Sequence, residues 1–255
     1  MNLIVCFYSI GRSAEDPDLI FYMSFDSVSG NTINDGSGNA NTGALKGDAK
    51  IVKNGKFGSA LSVSGNGYVD CGNGKVLNQK FPGLTIEAWV YPTEFSGIQQ
   101  IVSKWQWTVA GDHFALGLVD GKPGICVADG LVAAQASILG QTTIPKNQWT
   151  HVTGVWDGET FEERVYINGE LNGKGPQSDC KGINTNSTEN LKIGGQVTGT
   201  GRYFIGFIDD VAIYGRVLAE DEIKKDMRGL APIQPSGKVS TTWAKVKAQY
   251  YVISW

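Results

Sequence analysis

Two adjacent carboxylates, Asp209 and Asp210, interrupt a segment whose apolar residues otherwise alternate from residue 204 to residue 214. Such alternation is typical of a half-buried strand, and a desolvated carboxylate is costly there unless it is paired or bound to a metal. A third carboxylate, Asp26, directly follows the strand-like residues 19–25 near the other end of the chain. If the first and last strands are neighbours, these acids meet. Carboxylate oxygens are ligands of Ca²⁺, so the pattern predicts a calcium site.

The environment of each acid depends on the face to which it points. Successive strand residues point to opposite faces of a sheet, so only one of Asp209 and Asp210 is expected to face the core. The alternative to a metal is that one acid pairs with Arg202 or Arg216 and the other is solvated. A bound Ca²⁺ would be structural, because it would tie the ends of the chain together.

Aromatic side chains are the second group that could bind a ligand, because sugar rings stack on exposed aromatic faces. Trp105, Trp107 and Tyr203 lie near the ends of loops and are the candidate ligand-binding residues. In contrast, Trp89, Trp149 and Trp156 lie in alternating strands and are predicted to be core residues.

The acidic residues and histidines show no catalytic pattern. Glycosidases use two carboxylates at a fixed separation, but a Glu-x-Asp-x-x-Glu run is absent. Glu162 and Glu163 are adjacent and would point to opposite faces. Glu87 is predicted to face outward, and His151 to be structural. No catalytic residue is therefore assigned, although a polysaccharide lyase, whose groups come from separate strands, stays open.

Composition narrows the class of protein. The chain has 255 residues, a net charge of −3 and no basic cluster, so nucleic acid is not an expected partner. No apolar run is long enough for a membrane-spanning helix. Residues 1–14 look like the remnant of an export signal, although no Lys or Arg precedes the apolar run. Beyond Cys6 there are three cysteines, Cys71, Cys126 and Cys180. Their spacing does not determine which of them form a disulfide.

Turn signals divide the chain into about a dozen short strands. Residues 56–63 and 68–71 are interpreted as a hairpin, and Asn168-Gly169 is the strongest hairpin turn. One helix is predicted from Leu218 to Met227, with acids at its start and lysines near its end. Residues 230–255 are predicted to be a linker and a tail. Many short strands at this spacing indicate a sandwich or a barrel.

Seven segments resemble, in order and spacing, the laminin-G-like, concanavalin A-like jelly-roll domains of exported bacterial proteins. They are residues 21–26 (FYMSFD), 35–43 (DGSGNANTG), 55–61 (GKFGSAL), 85–90 (TIEAWV), 149–152 (WTHV), 165–169 (VYING) and 206–211 (GFIDDV). The resemblance covers residues 18–229. It implies an all-β fold, a two-sheet antiparallel jelly-roll sandwich with one short C-terminal helix.

The resemblance also sharpens the expected sites and function. It places the loop after the first strand beside the Ile-Asp-Asp strand, so the expected Ca²⁺ ligands are Asp26 and Asp210, helped by Asp35 or Asn41 and by backbone carbonyls. The expected function is an extracellular carbohydrate-binding or adhesive module without catalytic activity. It would be secreted or on the cell surface, with a glycan or a cell-surface protein as partner. The alternatives are a glycan-cleaving hydrolase or lyase of the same fold and a structural spacer module. The oligomeric state is not indicated.

Overall fold

The computed structural model describes residues 16–106, 113–130, 138–177, 182–196 and 202–230. Cys6, Trp107, Cys180, the signal-like residues 1–14 and the tail after residue 230 lie outside them. The described strands are β1 Leu19–Met23, β2 Val28–Ser29, β3 Thr32–Ile33, β4 Gly43–Lys46, β5 Lys50–Lys53, β6 Ser59–Ser64, β7 Tyr68–Asp70, β8 Gly83–Pro92, β9 Ile98–Lys104, β10 Phe114–Val119, β11 Lys122–Val127, β12 Ile138–Leu139, β13 Thr150–Asp157, β14 Glu162–Ile167, β15 Glu170–Pro176, β16 Lys192–Ile193 and β17 Ile205–Tyr214. The helices are a 3₁₀ turn at Lys75–Asn78 and α1 at Glu220–Asp226.

These strands form two antiparallel sheets. An eight-stranded sheet has the order β15-β14-β13-β8-β17-β6-β5, with β1 also paired to β17, and a nine-stranded sheet has the order β12-β11-β10-β9-β16-β7-β4-β3-β2. The core lies between the sheets and is built from the alternate apolar residues of each strand, such as Ile86, Ala88 and Val90 of β8. The fold is therefore the all-β, two-sheet jelly-roll sandwich with one short C-terminal helix that was expected.

Along one edge β17 pairs with two strands in succession, and along its other edge it pairs with β8. Its first half, from Ile205 to Ile208, pairs with β6. Its second half, from Val211 to Tyr214, pairs with β1. The prediction that the first and last strands are neighbours is therefore confirmed. Asp209 and Asp210 lie at the junction between the part of β17 that pairs with β6 and the part that pairs with β1.

A β-bulge at this junction changes the faces of β17. Asp209 pairs with Trp89 and Ala212 with Glu87, so Asp210 and Val211 together oppose one residue of β8. Asp210 adopts a left-handed conformation with φ of 45°, as one extra residue in a bulge requires. After the bulge Val211 faces the core. The prediction that the two acids point to opposite faces is wrong, because the bulge turns both away from the core.

The hairpin predicted from residues 56–63 and 68–71 is also wrong. β6 pairs with β5 and β17 in the eight-stranded sheet. β7 pairs with β4 and β16 in the nine-stranded sheet. The connection between β6 and β7 therefore crosses from one sheet to the other.

The helix α1 covers one end of the outer face of the eight-stranded sheet. Ile223 of the helix packs with Tyr22, Val155 and Tyr214 in a second apolar cluster. The Tyr214 hydroxyl donates a hydrogen bond to Asp226 Oδ2 at 2.7 Å. The rest of that outer face, at the other end of β8, β13 and β17, is not covered by α1.

Candidate functional site

The predicted acidic cluster lies at the junction on β17 and is organised around the loop before β6. Asp26 Oδ1 accepts a hydrogen bond from the Ser59 amide at 2.8 Å. Asp209 Oδ2 accepts one from the Phe57 amide at 2.9 Å. Asp210 Oδ1 lies 2.6 Å from the donating hydroxyl of Tyr22. Asp26 and Asp209 thus face the same loop, and Asp209, which was not among the expected ligands, belongs to the group.

The electrostatics of this group follow from its burial. Burial raises the pKa of Asp209 to about 9, and the negative charge of Asp210 adds to this effect, with a smaller contribution from Asp26. Burial and the charge of Asp210 also raise the pKa of the Tyr22 hydroxyl. Arg216 pairs with Asp16 and Glu222 rather than with either acid of β17. The buried Asp209 and Asp210 therefore lie together with the half-buried Asp26 in one poorly solvated region.

Asp35 and Asn41 have a different role from the one expected. Asp35 Oδ1 accepts hydrogen bonds from the amides of Tyr22 and Ser37. Its Oδ2 accepts two more, from the backbone and the side-chain amide of Asn41. A carboxylate has about four acceptor sites, so Asp35 has none left for a cation. The pair organises the loop after β1.

The described part of the chain contains no group of three or more His, Cys, Asp or Glu side chains placed to hold a metal ion. A cation at the β17 junction would consequently need backbone carbonyl oxygens beside Asp26 and Asp209. Such mixed coordination is ordinary for Ca²⁺.

A set of aromatic rings, here called the aromatic face, lies on the outer surface of the eight-stranded sheet away from α1. Tyr91 of β8 contacts Trp149 on one side and Phe207 on the other, in both cases with ring centroids 5.6 Å apart and edge-to-face geometry. Trp89, two residues earlier on β8, contacts Phe57 with centroids 6.2 Å apart. Tyr91, Trp149, Phe207 and Phe57 are half-buried and keep part of their surface exposed to solvent.

Lys56 adds a cation to the aromatic face. The ammonium of Lys56 lies 3.9 Å from the centroid of the Trp89 ring, which is cation–π geometry. Lys56 is half-buried, and burial lowers its pKa. Within the described residues no carboxylate forms an ion pair with it. The side chain of Asp209 instead accepts hydrogen bonds from the backbone amides of Phe57 and Asp210.

Polar side chains on the same face are sealed beneath these rings. His151 Nε2 lies 4.0 Å from Glu87 Oε2, and both side chains are 2% exposed. His151 Nδ1 lies 3.4 Å from Thr153 Oγ1. Burial and the positive charge of Lys56 lower the pKa of His151 to about 3, so the imidazole is neutral at neutral pH. Glu87 does point away from the core, as predicted, but it is buried rather than solvated.

The aromatic residues predicted to bind a ligand lie in different environments in the structure. Trp105 is 2% exposed and packs with Ala115 and Ala128, so its ring presents no face to a sugar, contrary to expectation. Tyr203 is half-buried. Its ring lies 6.4 Å from that of Tyr68 on the nine-stranded sheet, and this pair forms a second aromatic surface.

Trp149 was expected in the core but belongs to the aromatic face. The alternation of the strand residues was predicted correctly, but the face of the sheet that is buried was not. Glu87 is in phase with Trp89 and Tyr91, and His151 is in phase with Trp149. Those polar neighbours were the signal that this phase faces away from the core. Trp156, by contrast, is confirmed as a core residue.

Comparisons with known proteins bear on the fold. A laminin-G family model, described as the concanavalin A-like lectin/glucanases superfamily, matches residues 63–224. No curated protein matches the sequence. The described residues contain no helix with the length and apolar character needed to cross a bilayer.

Solved structures of binding domains superpose on the chain. The binding domain of Paraclostridial Mosquitocidal Protein 1 does so with a TM-score of 0.64 and 20% identity, over 83% of this chain and 52% of that chain. The binding domain of botulinum neurotoxin serotype G does so with a TM-score of 0.62 and 17% identity, over 82% of this chain and 50% of that chain. This chain therefore spans about half of each toxin binding domain.

One similar structure is matched over nearly its whole length. It is domain 4 of AbnA, a GH43 extracellular arabinanase from Geobacillus stearothermophilus, in complex with arabinotriose. The TM-score is 0.62 and the identity 21%, over 82% of this chain and 98% of that chain. At these identities the likeness concerns the fold.

Proposed function

The chain belongs to the concanavalin A-like lectin/glucanases superfamily, and from that membership we propose that it is an extracellular carbohydrate-binding module without catalytic activity. The observation that carries the proposal is the aromatic face. Tyr91 of β8 and Phe207 of β17 form a row with Trp149, which directly precedes β13, and the three rings are partly open to solvent. Aromatic rings on a rigid sheet offer a large contact area at low entropic cost.

The sealed position of the acidic groups supports binding rather than cleavage. A general acid must reach the bond that it protonates, but Glu87 and His151 lie beneath the rings and are almost fully buried. A sugar on the aromatic face would contact rings and Lys56, not these groups. The extracellular location is consistent with the domain of the arabinanase that shares the fold.

The proposal is tested by measuring the affinity of the full chain for a panel of neutral and acidic oligosaccharides that includes arabinotriose. Trp149→Ala is expected to weaken binding about tenfold, because one stacked ring contributes about 0.5–1.5 kcal/mol beyond its area. Tyr203→Ala is the matched variant on the other sheet. Loss of binding in Tyr203→Ala alone would move the site to the Tyr68–Tyr203 surface, and no binding to any sugar would end the proposal.

Calcium is the second part of the proposal. The residues that fit it are Asp26 and Asp209, which face the same loop; the negative charges of Asp210 and Asp26 oppose the ionisation of Asp209. A divalent cation with carbonyl oxygens of that loop as further ligands would offset the repulsion. Its role would be to fix the loop that carries Lys56 and Phe57 over Trp89. Asp35 and Asn41 would take no part.

A further inference from the structure

We propose that the aromatic face selects acidic saccharides, through the ammonium of Lys56, over neutral saccharides of the same shape. This inference rests on the proposed carbohydrate-binding function and names the ligand class of that site. The ligand group would be a carboxylate or a sulfate on a sugar ring, because both offer charged oxygens to an ammonium.

The position of Lys56 is the first step of the argument. Its ammonium lies directly over Trp89, at 3.9 Å from the ring centroid. Trp89 is two residues from Tyr91 on β8, and residues two apart on a strand are about 7 Å apart. A ligand stacked on Tyr91 and Trp149 would therefore have its next groups close to the ammonium.

The charge balance around Lys56 is the second step. Several other lysines form ion pairs with carboxylates. The ammonium of Lys224, for example, lies 2.8 Å from a carboxylate oxygen of Glu170 and 2.6 Å from one of Glu220. Lys56 is half-buried, yet among the described residues it has a ring rather than an acid as its partner. An ammonium that is partly removed from water gains more from an incoming anion than an exposed one does, because screening is weaker there.

The groups beneath Lys56 do not neutralise it. His151 is uncharged at neutral pH. Both oxygens of Asp209 accept backbone amide hydrogens, from Phe57 and Asp210. Glu87 is separated from solvent and lies beside His151. Among the described residues no carboxylate forms an ion pair with Lys56, so the aromatic face presents its rings together with the ammonium of Lys56, which suits an anionic sugar.

The fixed backbone around Lys56 is the third step. The amides of Phe57 and Ser59, on either side of Gly58, are held by Asp209 and Asp26. The loop is therefore anchored next to Lys56. A pre-positioned charge loses less entropy on binding than a flexible one, and it distinguishes ligands by the position of their anionic group as well as by charge.

Matched pairs of ligands test the proposal. One pair is a galacturonate hexasaccharide and its fully methyl-esterified form, and the other is a sulfated galactan oligosaccharide and its desulfated form. The acidic member of at least one pair is expected to bind about tenfold more tightly at low salt, and the difference is expected to shrink at high salt. The two pairs also distinguish a carboxylate from a sulfate as the recognised group.

Variants of the full chain assign the effect to Lys56. Lys56→Gln is expected to remove the preference for the acidic member and Lys56→Arg to keep it. Lys53→Gln, an exposed lysine of the same hairpin, should leave it unchanged. Thermal unfolding of each variant shows whether the fold is retained.

The outcomes separate this inference from the function on which it rests. Binding of neutral and acidic members with equal affinity, together with a loss in Trp149→Ala, would overturn the acidic preference and keep the carbohydrate-binding module. A preference that survives in Lys56→Gln would also overturn it. If no member of either pair and no sugar of the wider panel binds, both proposals fail.

Discussion

Asp26 and Asp209 hold the same short loop, Asp26 by the amide of Ser59 and Asp209 by the amide of Phe57. One acid follows the first strand and the other lies in the last strand of the sandwich. The loop that they hold presents Lys56 and Phe57 to Trp89. The acidic cluster and the aromatic face are therefore two sides of one structural unit.

Calcium is predicted to stabilise the protein. Millimolar Ca²⁺ should raise the melting temperature relative to a chelator by about 5–10 °C, if its concentration is about 100 times the dissociation constant. The physical reason is that the cation offsets the repulsion among Asp26, Asp209 and Asp210. Asp26→Asn should abolish the shift. Asp35→Asn should lower the starting stability but keep the shift. Loss of the shift in both variants would support the ligand set expected from the sequence, and a shift kept in Asp26→Asn would contradict both ligand sets.

Gly58→Ala is predicted to be strongly destabilising. Gly58 has φ of +78°, and an added Cβ would lie 2.3 Å from Asp26 Oδ1. The substitution therefore combines backbone strain with displacement of the carboxylate, and should cost about 2–4 kcal/mol in the free energy of unfolding by urea. Gly30→Ala is the matched control, because Gly30 has φ of +59° with no atom within 4 Å of an added Cβ. Equal losses in both variants would mean that the contact with Asp26 has no effect.

Tyr22→Phe is predicted to destabilise the protein by about 2 kcal/mol. The Tyr22 hydroxyl lies 2.6 Å from Asp210 Oδ1 and 2.9 Å from the Leu230 carbonyl oxygen. Its removal takes away the single O–H hydrogen that lies between these two oxygens, and the loss of a buried hydrogen bond costs about 1–3 kcal/mol. Tyr68→Phe, which loses a hydroxyl from a half-buried ring, should change the unfolding free energy by less than about 0.5 kcal/mol. A neutral Tyr22→Phe would show that the hydroxyl contributes little.

Glu163 is predicted to make the protein less stable as the pH rises. It lies in the eight-stranded sheet and is fully buried, where burial raises its pKa from 4.5 to about 8. Between these values the unfolded chain releases the proton and the folded chain keeps it, so stability falls as the pH rises from 4.5 toward 8. The loss should be on the order of a few kcal/mol.

Urea unfolding at pH 5 and pH 8 measures this dependence. Glu163→Gln keeps the size of the side chain and has no proton to lose, so it should lose less stability than the wild type between the two pH values, while Asp209, whose pKa is also raised, contributes equally to both proteins. Glu159→Gln, an exposed acid on the preceding turn, should follow the wild type. A wild type that is equally stable at both pH values would contradict the prediction.

Local sequence signals were sufficient for most elements, because they depend on neighbours in the chain. The turn at Asn168 and Gly169 has both residues at positive φ, 51° and 77°, as its hairpin type requires. The helix predicted from Leu218 is present as Glu220–Asp226, since its acids and lysines suit the helix ends. The alternation of β8 also predicted a strand correctly.

The errors concern properties that depend on distant residues. Alternation shows that two faces differ but does not say which one is buried, so Trp149 was placed on the wrong side. Nothing local to Ser64 and Tyr68 indicates that the chain changes sheets between them. The bulge at Asp210 inserts one residue opposite β8 and thereby reverses the faces of β17, which a strict period of two cannot express.

The pairing of β1 with β17 also affects how the protein is made. Tyr22 and its partner Asp210 are 188 residues apart, and a ribosome adds roughly 5–20 residues each second. The apolar side chains of β1 must therefore wait roughly 10–40 s after their synthesis before the strand they complete has emerged. During that interval β1, β6 and β8 lack the strand that they all pair with, and a short peptide with the sequence of β17 should be able to occupy its place.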